Sequence, residues 1–385
     1  MKSRLMEVYI LQALYALPIT LGWSFVLLYA FNVGFSYREI GLFYIIHYLT
    51  VIFVIKNLGT HRTFSLITAS FICMMAGFLV LSETPSPARF YLTAIIVGTT
   101  AALFWIPYNI TYFGLADKNA TAIRSGLLFL VFPAVNTIIP MISGVVIDSL
   151  GFRILFLAAM AAALIPLWYA RRIRDGSILR LDASKTIKTA AGVRTLMAIE
   201  GFWQGAAWMS LPLITFTYMQ SGSKYGFFLA YMGIAGAISV LTLCNMSDRT
   251  GNRMRFIMPS AILAGLATIG AGLSDTFLQW MTANGLLSLF MAMTAPFTLS
   301  VIVDRIKHPA DSMVSRELFL NAGRLAGVAT ATASAELSGS LRPALVIAGV
   351  VFLLYTLVLK SKKLYPKSMP DKIVLSDEAY DYKEV

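Results

Sequence analysis

Charged side chains are scarce in this sequence of 385 residues. Only 13% of the residues are Asp, Glu, Lys or Arg, whereas 58% are hydrophobic, and the mean hydropathy is +0.73. A soluble globular protein carries about 25% charged residues. The shortage therefore excludes an ordinary soluble domain and indicates an integral membrane protein.

Cysteine and histidine are also rare, with two and three residues respectively. Cys73 and Cys244 lie within or at the edge of apolar segments, so no disulfide framework is predicted. His47, His61 and His308 are scattered, and neither cysteine has a second ligand at metal-binding spacing. The phosphate-binding pattern Gly-x-x-x-x-Gly-Lys-Ser/Thr does not occur. We therefore predict no cofactor, no metal and no ATP-driven mechanism, and nothing argues for an enzyme.

Long apolar segments are what the chain has instead. Twelve of them are predicted to cross the bilayer, since each approaches the roughly 20 residues that a spanning helix needs. A basic stretch with seven Lys or Arg residues separates the first six from the last six. The predicted fold class is an all-α membrane protein with twelve transmembrane helices in two pseudo-symmetric six-helix bundles. The predicted parts are a first bundle at 1–170, a cytoplasmic linker at 171–194, a second bundle at 195–359 and a cytoplasmic tail at 360–385.

The basic residues follow the predicted topology. The sequence has 31 Lys and Arg against 19 Asp and Glu, and 25 of the 31 lie in segments predicted to be inside, five in segments predicted to be outside and one within a span. This is the positive-inside pattern, which argues against a nucleic-acid surface. We predict a multi-pass protein of the cell membrane, surrounded by lipid, with both termini cytoplasmic, and a monomer.

The two halves of the chain align as repeats. An offset of 192 residues places Arg124 over Arg316, both at the start of a predicted span, and Gln12 of span 1 over Gln204 of span 7. Two parallel six-helix repeats are typical of secondary transporters, whose substrate site lies between the repeats. The repeat pattern therefore favours a transporter.

A polar loop after predicted span 8 carries the motif Asp248-Arg249-x-Gly251-x-Arg253. With the twelve predicted spans and the basic middle loop, this motif resembles the inner-loop signature of the major facilitator superfamily. Cys244 stands where that family usually has a glycine, and the matching loop of the first half, 56–62, lacks the aspartate.

The resemblance implies a gate. By the pseudo-symmetry of the family, Asp248 is expected to meet the N-terminal end of span 5 near Arg124 and to hold the inner side closed. Helix N-termini attract carboxylates. Because the first half has no matching aspartate, this loop is expected to act as the latch alone.

Ionisable residues inside the predicted spans are the strongest functional candidates, because charge within a bilayer is costly. Glu200 lies in span 7 and shares its face with Gln204. Glu317 and Arg324 form one stripe in span 11 together with Asn321. Glu200 is either a proton-coupling or substrate-binding carboxylate, or a structural carboxylate paired with an arginine. Arg324 stays charged and is expected to pair with Glu317 or Glu200.

The resemblance also implies that spans 1, 4, 7 and 10 line a central cavity. Aromatic and amide side chains at helical spacing in these spans would supply contact area and a few directional hydrogen bonds to an amphipathic substrate. The alternative is that they are ordinary packing residues. The candidates are Gln12, Tyr15, Trp105, Tyr108, Asn109, Tyr112, Trp203, Gln204, Asn284 and Ser288.

The function predicted from these features is secondary active transport of a small organic solute by alternating access, with protons as coupling ion. Export of amphipathic or drug-like compounds is slightly favoured, although the glycine–proline pair that exporters of the family carry upstream of Asp148 is missing. Two alternatives stay open: uptake of a neutral nutrient such as a sugar, and a non-transporting sensor or partner protein.

Overall fold

The computed structural model describes residues 2–115, 121–173, 178–180, 192–244, 254–305, 309–362 and 364. Long helices make up nearly all of these residues. They are α1 Lys2–Gly22, α2 Val26–Val33, α3 Tyr37–Asn57, α4 Thr63–Ser82, α5 Pro87–Leu115, α6 Thr121–Ala162, α7 Leu164–Arg172, α8 Arg194–Tyr218, α9 Gly222–Ser239, α10 Met254–Gly272, α11 Phe277–Arg305, α12 Pro309–Ser338 and α13 Arg342–Ser361.

Helical structure covers every one of the predicted spans. Within the described residues, eight helical segments are long and apolar enough to cross a membrane by length and composition. The helices α8, α11 and α12 fall outside that set, and α8 and α12 carry the charged and amide residues described below. Large apolar side chains are exposed around the bundle, such as Phe53 (68% exposed) and Leu278 (75% exposed), as expected for a surface that faces lipid.

Two interruptions divide the helices. A 3₁₀ turn at Trp23–Phe25 joins α1 to α2, and both helices belong to predicted span 1. In α6 the backbone of Gly151 is non-helical, with φ at 81°. A positive φ of this kind costs glycine little, because it has no Cβ. Gly151 therefore marks the turn between predicted spans 5 and 6, and α6 contains the whole of one and the start of the other.

Glycines bring the backbones of α8 and α12 into contact. Each helix has a Gly-x-x-x-Gly pair, Gly201 with Gly205 and Gly323 with Gly327. A Cβ added at Gly201 would collide with the Leu320 carbonyl, and one added at any of the other three would also collide with backbone of the opposite helix. Small residues at this spacing let membrane helices approach closely. The contact fixes how the polar residues of α8 and α12 face each other.

Helices from before and after the linker meet along two long contacts, α6 against α9 and α3 against α12. At the first, Gly144 and Gly222 leave no room for a side chain between the helices, and Gly226 lies against Pro140. At the second, Gly41 of α3 packs on Thr332 of α12. These two contacts are the seams between the predicted halves.

A short antiparallel ladder, absent from the sequence-based prediction, joins the linker to the loop after α3. Strand β1, Thr60–Arg62, pairs with strand β2, Ile178–Arg180, and His61 lies opposite Leu179. The side chain of Leu179 is 4% exposed. It belongs to an apolar cluster with residues of α3, α5 and α12: Val51, Ile55, Ala102, Ile106, Val314 and Leu318. The linker is therefore packed against the seam between α3 and α12 at this point.

Candidate functional site

A network of charged and amide side chains lies between α8 and α12. Glu200 and Gln204 occupy successive turns of α8, and the Gln204 amide nitrogen donates to Glu200 Oε1 at 3.0 Å. Glu200 is 2% exposed and Gln204 is 7% exposed. The glycine contact between the helices holds this pair opposite the polar stripe of α12.

The structure shows which arginine pairs with which glutamate. Of the two pairs expected for Arg324, the structure contains the one with Glu317, at 3.9 Å between Nη1 and Oε2. Glu200 pairs instead with Arg316, at 3.4 Å, and Arg316 also binds Glu317 Oε1 at 2.7 Å. Arg316 thus bridges the two glutamates. In the sequence, Arg316 is notable only because it aligns with Arg124 in the repeat, so its place in the site was not predicted.

The strongest hydrogen bonds of Arg324 go to amides. Its Nε and Nη2 donate to Gln204 Oε1 at 2.8 and 2.6 Å, and its Nη1 donates to Asn321 Oδ1 at 3.1 Å. Asn321 in turn donates to the Glu317 carbonyl at 2.7 Å. The stripe predicted from helical spacing therefore acts as one connected network.

Aromatic rings cover the guanidinium of Arg324. Its Cζ lies 4.8 Å from the ring centroid of Trp208 and 5.7 Å from that of Tyr48, a residue of α3. A cation over an aromatic face is stabilised by the ring quadrupole. The guanidinium therefore contacts both sides of the α3–α12 seam.

Trp208 is exposed within a buried stretch of α8. The five preceding residues, 203–207, are all buried. Trp208 is nevertheless 43% exposed. Its carbonyl accepts a 3.5 Å hydrogen bond from the hydroxyl of Tyr44 on α3. Trp208 therefore lies close to both α3 and α12.

Several buried polar atoms near this network have no hydrogen-bond partner among the described residues. They include Glu200 Oε2, Arg316 Nε, His47 Nδ1 and the Tyr48 hydroxyl. His47 belongs to α3, and its ring stacks on Trp23 at 6.3 Å between centroids. A buried polar atom without a partner is costly, so such a cluster is typical of a site that receives a ligand or a proton.

The candidates in predicted spans 1 and 4 form a second group, in the core of the helices before the linker. The Tyr108 hydroxyl donates to Gln12 Oε1 at 3.1 Å, and Tyr15 stacks on Phe104 at 3.6 Å between centroids. Trp105 meets Tyr15 edge-on at 5.3 Å. The side chains of this group are mostly buried, with Tyr108 and Tyr112 each 1% exposed and Asn109 6% exposed. In this conformation they pack against one another, and their predicted role as cavity lining stays a prediction.

The remaining cavity candidates bond to neighbouring helices. Trp203 Nε1 donates to Thr268 of α10 at 2.9 Å, and Ser288 donates to the Met232 carbonyl of α9 at 3.0 Å. Asn284 donates to the Trp280 carbonyl at 2.8 Å within α11. The first two contacts tie α8 to α10 and α9 to α11.

The predicted gating loop lies outside the described residues, which applies to Asp248, Arg249, Gly251 and Arg253. Arg124 belongs to α6, but its side chain is outside the described part as well. A different aspartate contacts a helix N-terminus across a seam: Asp148 of α6 accepts hydrogen bonds from the backbone N–H groups of Gly222 and Ser223 in α9. The sequence alone indicates no partner for Asp148.

Long apolar helices around a buried network of ionisable side chains are typical of membrane transporters. No protein-family model matches the sequence, and no curated protein matches it either. Solved structures do match over nearly the whole chain. The human organic anion transporter MFSD10 (TETRAN) aligns with a TM-score of 0.66 and 16% identity, over 92% of this chain and 98% of that one.

Two bacterial structures match equally well. The fucose:proton symporter FucP of E. coli aligns with a TM-score of 0.68 and 12% identity, over 93% of this chain and 98% of that one. A bacterial homologue of the iron transporter ferroportin aligns with a TM-score of 0.67 and 12% identity, over 93% and 99%. The chain therefore has the fold of major facilitator superfamily transporters, and the prediction of an all-α, multi-pass membrane fold is confirmed.

Proposed function

We propose that the protein is a secondary active transporter that moves a small organic solute across the membrane by alternating access, with protons as coupling ion and Glu200 as their carrier. The observation that supports this proposal best is the state of the Glu200 carboxyl. It is buried, its Oε1 is bound by Gln204 and Arg316, and its Oε2 has no hydrogen-bond partner among the described residues. Burial in a low-dielectric site favours the neutral form of a carboxyl, so Oε2 is the atom that would take up and release a proton.

The remaining parts of the proposal follow the transporter fold. The helices of 1–170 and 195–359 would form two six-helix bundles that rock against each other along the α6–α9 and α3–α12 seams. The protein would be a monomer in the cell membrane with both termini in the cytoplasm, and it would transport rather than catalyse. The aromatic residues around Arg324 suit an amphipathic solute. Export of such a compound and uptake of a neutral nutrient are both open directions.

A vesicle assay tests this function. The purified protein is reconstituted into liposomes that contain a pH indicator, and an aromatic acid, its amide, an aromatic amine and a hexose are supplied in turn. We expect at least one solute class to enter faster than into empty liposomes, with a rate that changes when a pH gradient is imposed. The direction of the gradient that accelerates entry separates uptake with protons from exchange against them.

The variant Glu200→Gln tests whether Glu200 carries the coupled proton. This variant is expected to keep the solute flux but to lose its dependence on the pH gradient. The matched control is Glu336→Gln, which changes an exposed glutamate of the same α12 that carries Arg324. Wild-type flux that is indifferent to the pH gradient would contradict proton coupling, and the absence of any flux would contradict transport of these solutes.

A further inference from the structure

We infer that the solute is an organic anion with an aromatic or aliphatic body, that its carboxylate binds Arg324, and that the amide of Gln204 couples its arrival to protonation of Glu200. This assignment of a substrate class rests on the transport function proposed above.

Arg324 is a cation whose closest partners are neutral. Its three short hydrogen bonds go to the amide oxygens of Gln204 and Asn321, whereas the nearest carboxylate contact, to Glu317, is 3.9 Å long. A guanidinium forms stronger and shorter bonds to a carboxylate than to an amide, often with two parallel N–H donors. An incoming carboxylate would therefore displace the Gln204 oxygen from Nε and Nη2, which already point in one direction.

The surroundings of the guanidinium suit the rest of such a molecule. Trp208 is 43% exposed, and both Trp208 of α8 and Tyr48 of α3 lie beside the guanidinium. The side chain of Arg324 is itself 14% exposed, so it can be reached. Flat aromatic walls beside a cation bind an apolar body and a carboxylate at the same time. A cationic solute would instead meet the guanidinium with like charge.

Charge balance requires a proton with each anion. The network holds two arginines, Arg316 and Arg324, and two glutamates, Glu200 and Glu317, so its formal charges cancel. Adding one carboxylate leaves an uncompensated negative charge in a buried site, which is costly. A proton taken up from water forms an O–H bond on Glu200 Oε2 and restores the balance. The transported unit is then one anion and one proton.

Gln204 is placed to link the two events. In the present state its Nε2 donates to Glu200 Oε1 and its Oε1 accepts from Arg324. When a solute carboxylate takes over Arg324, the Gln204 oxygen loses its donors. Rotation of the Glu200 carboxyl would bring its protonated Oε2 to Gln204, and rotation of the amide would turn the Gln204 oxygen toward that O–H donor and Nε2 toward the bound anion. Each of the two ligands thus stabilises the orientation of Gln204 that the other requires.

Other polar or charged groups near Glu200 come from α3, α11, α12 and α13. Arg316, Glu317 and Arg324 face it from α12. The hydroxyl of Thr298 on α11 also faces it, but this hydroxyl donates to the Thr294 carbonyl at 2.9 Å and contacts Tyr355 of α13. His47 and Tyr48 of α3 lie beyond Arg324. Of these groups, Glu200 and Glu317 are the carboxylates, and Glu317 already has Arg316 and Asn321 as partners on its two oxygens.

The proposed substrate class is tested by measuring the unfolding temperature of the purified full-length protein with and without candidate solutes. Benzoate, naphthoate and octanoate are compared at millimolar concentration with benzamide and benzylamine. We expect at least one carboxylate to raise the unfolding temperature in a saturable manner by binding the folded state, and the amide and amine to have little effect. Arg324→Gln is expected to weaken carboxylate binding by roughly ten- to a hundredfold, the worth of a hydrogen bond to a charged group.

Two variants keep this test interpretable. Arg324→Lys retains the charge and loses the paired donors, so intermediate binding is expected if Arg324→Gln fails to fold. Arg172→Gln is the matched control, because Arg172 also lies over a tryptophan, Trp168, at 3.6 Å, but is exposed on α7. It should bind carboxylates as the wild type does.

Proton uptake on binding tests the role of Gln204. In weak buffer with a pH indicator, the wild type is expected to take up about one proton for each carboxylate bound. Gln204→Met should bind the carboxylate more weakly and with little proton uptake, because the added negative charge then stays uncompensated. Gln220→Met, a change at an exposed glutamine, should behave as the wild type. A merely structural role for Gln204 would change affinity and leave the proton count unaltered.

The substrate class would be overturned by equal binding of benzamide or benzylamine, or by failure of all three carboxylates. The coupling would be overturned by carboxylate binding without proton uptake in the wild type. Neither result would contradict the proposed transport function. That function is tested separately, by whether any of the solute classes enters the vesicles.

Discussion

The carboxylate of Asp148 binds the first turn of α9 across a seam, with Oδ1 2.7 Å from the backbone nitrogen of Gly222. Its Oδ2 lies 2.9 Å from the nitrogen of Ser223. Both N–H groups belong to the end of a helix that has no intrahelical acceptors for them, and a carboxylate there also meets the positive end of the helix dipole. The contact lies at the end of the bundle that the sequence places outside.

Asp148→Asn should loosen this end of the α6–α9 seam. The amide keeps one acceptor but loses the charge, and a loss of about 1 kcal/mol is expected at a partly exposed site. We expect faster labelling of a cysteine introduced at Ile147, which is 8% exposed, in a background with Cys73 and Cys244 replaced by serine. Asp275→Asn is the control, because Asp275 is 91% exposed and pairs with Arg342 within the later half. Equal labelling in both variants would contradict a latch at Asp148.

Gly323→Ala should destabilise the protein, because the new Cβ would collide with the Ala198 carbonyl of α8. Overpacking of a tight contact costs about 1–3 kcal/mol. The matched control is Gly270→Ala on α10, where a Cβ meets nothing within 4 Å and the better helix propensity of alanine should leave stability unchanged or slightly higher. Unfolding temperatures in detergent measure both. If the two substitutions have the same effect, the glycine contact does not define the α8–α12 packing.

Arg316→Gln and Glu200→Gln should be strongly coupled. Removing one partner of a buried ion pair leaves the other charge uncompensated, at a cost of about 3–5 kcal/mol in a fully buried site. Somewhat less is expected here because the Arg316 side chain is 14% exposed. The double variant should be more stable than the sum of the single effects predicts, which a double-mutant cycle of unfolding free energies would measure. Additive effects would show that the 3.4 Å contact contributes nothing.

Leu179→Asp should open the seam beside the linker. Leu179 is buried in the cluster between α3, α5 and α12, and a carboxylate there would be desolvated without a partner. We expect a cysteine introduced at Val314, which is 1% exposed, to react faster with a membrane-impermeant reagent. Ile178→Asp is the matched control, since the adjacent side chain is 58% exposed. Unchanged reactivity at Val314 in the Leu179 variant would remove the linker from any gating role.

The sequence predicts the fold and the polar stripe well, because both depend on local patterns. Apolar length marks the helices, and helical spacing alone puts Glu317, Asn321 and Arg324 on one face. The pattern of one helix does not show which residue each charged side chain pairs with. Whether Glu200 meets Arg316 or Arg324 depends on the rotation and depth of two helices, which their glycine contact sets in three dimensions.

Two further features of the structure could not be predicted from the sequence, because they depend on contacts between distant parts of the chain. The pairing of β2 with β1 involves three residues of a basic linker, too few for a strand pattern to be recognised. Gln12 and Tyr108 were each predicted to face a cavity, but nothing in their spacing shows that the two side chains bond to each other across α1 and α5. A contact between two helices cannot be predicted from the residue pattern of either helix alone.

The glycine contact between α8 and α12 also determines what can change during a transport cycle. Because the two backbones touch, these helices cannot slide past each other without collision, so the backbone positions of Glu200, Gln204 and Arg324 would stay fixed relative to one another if the halves moved. Tyr48 belongs to α3, on the other side of the seam. In the proposed transport cycle, opening of that seam would leave the guanidinium beside Trp208 and move Tyr48 away from it. The cation would then stay in place, and the departure of the Tyr48 ring would change its access to each side of the membrane.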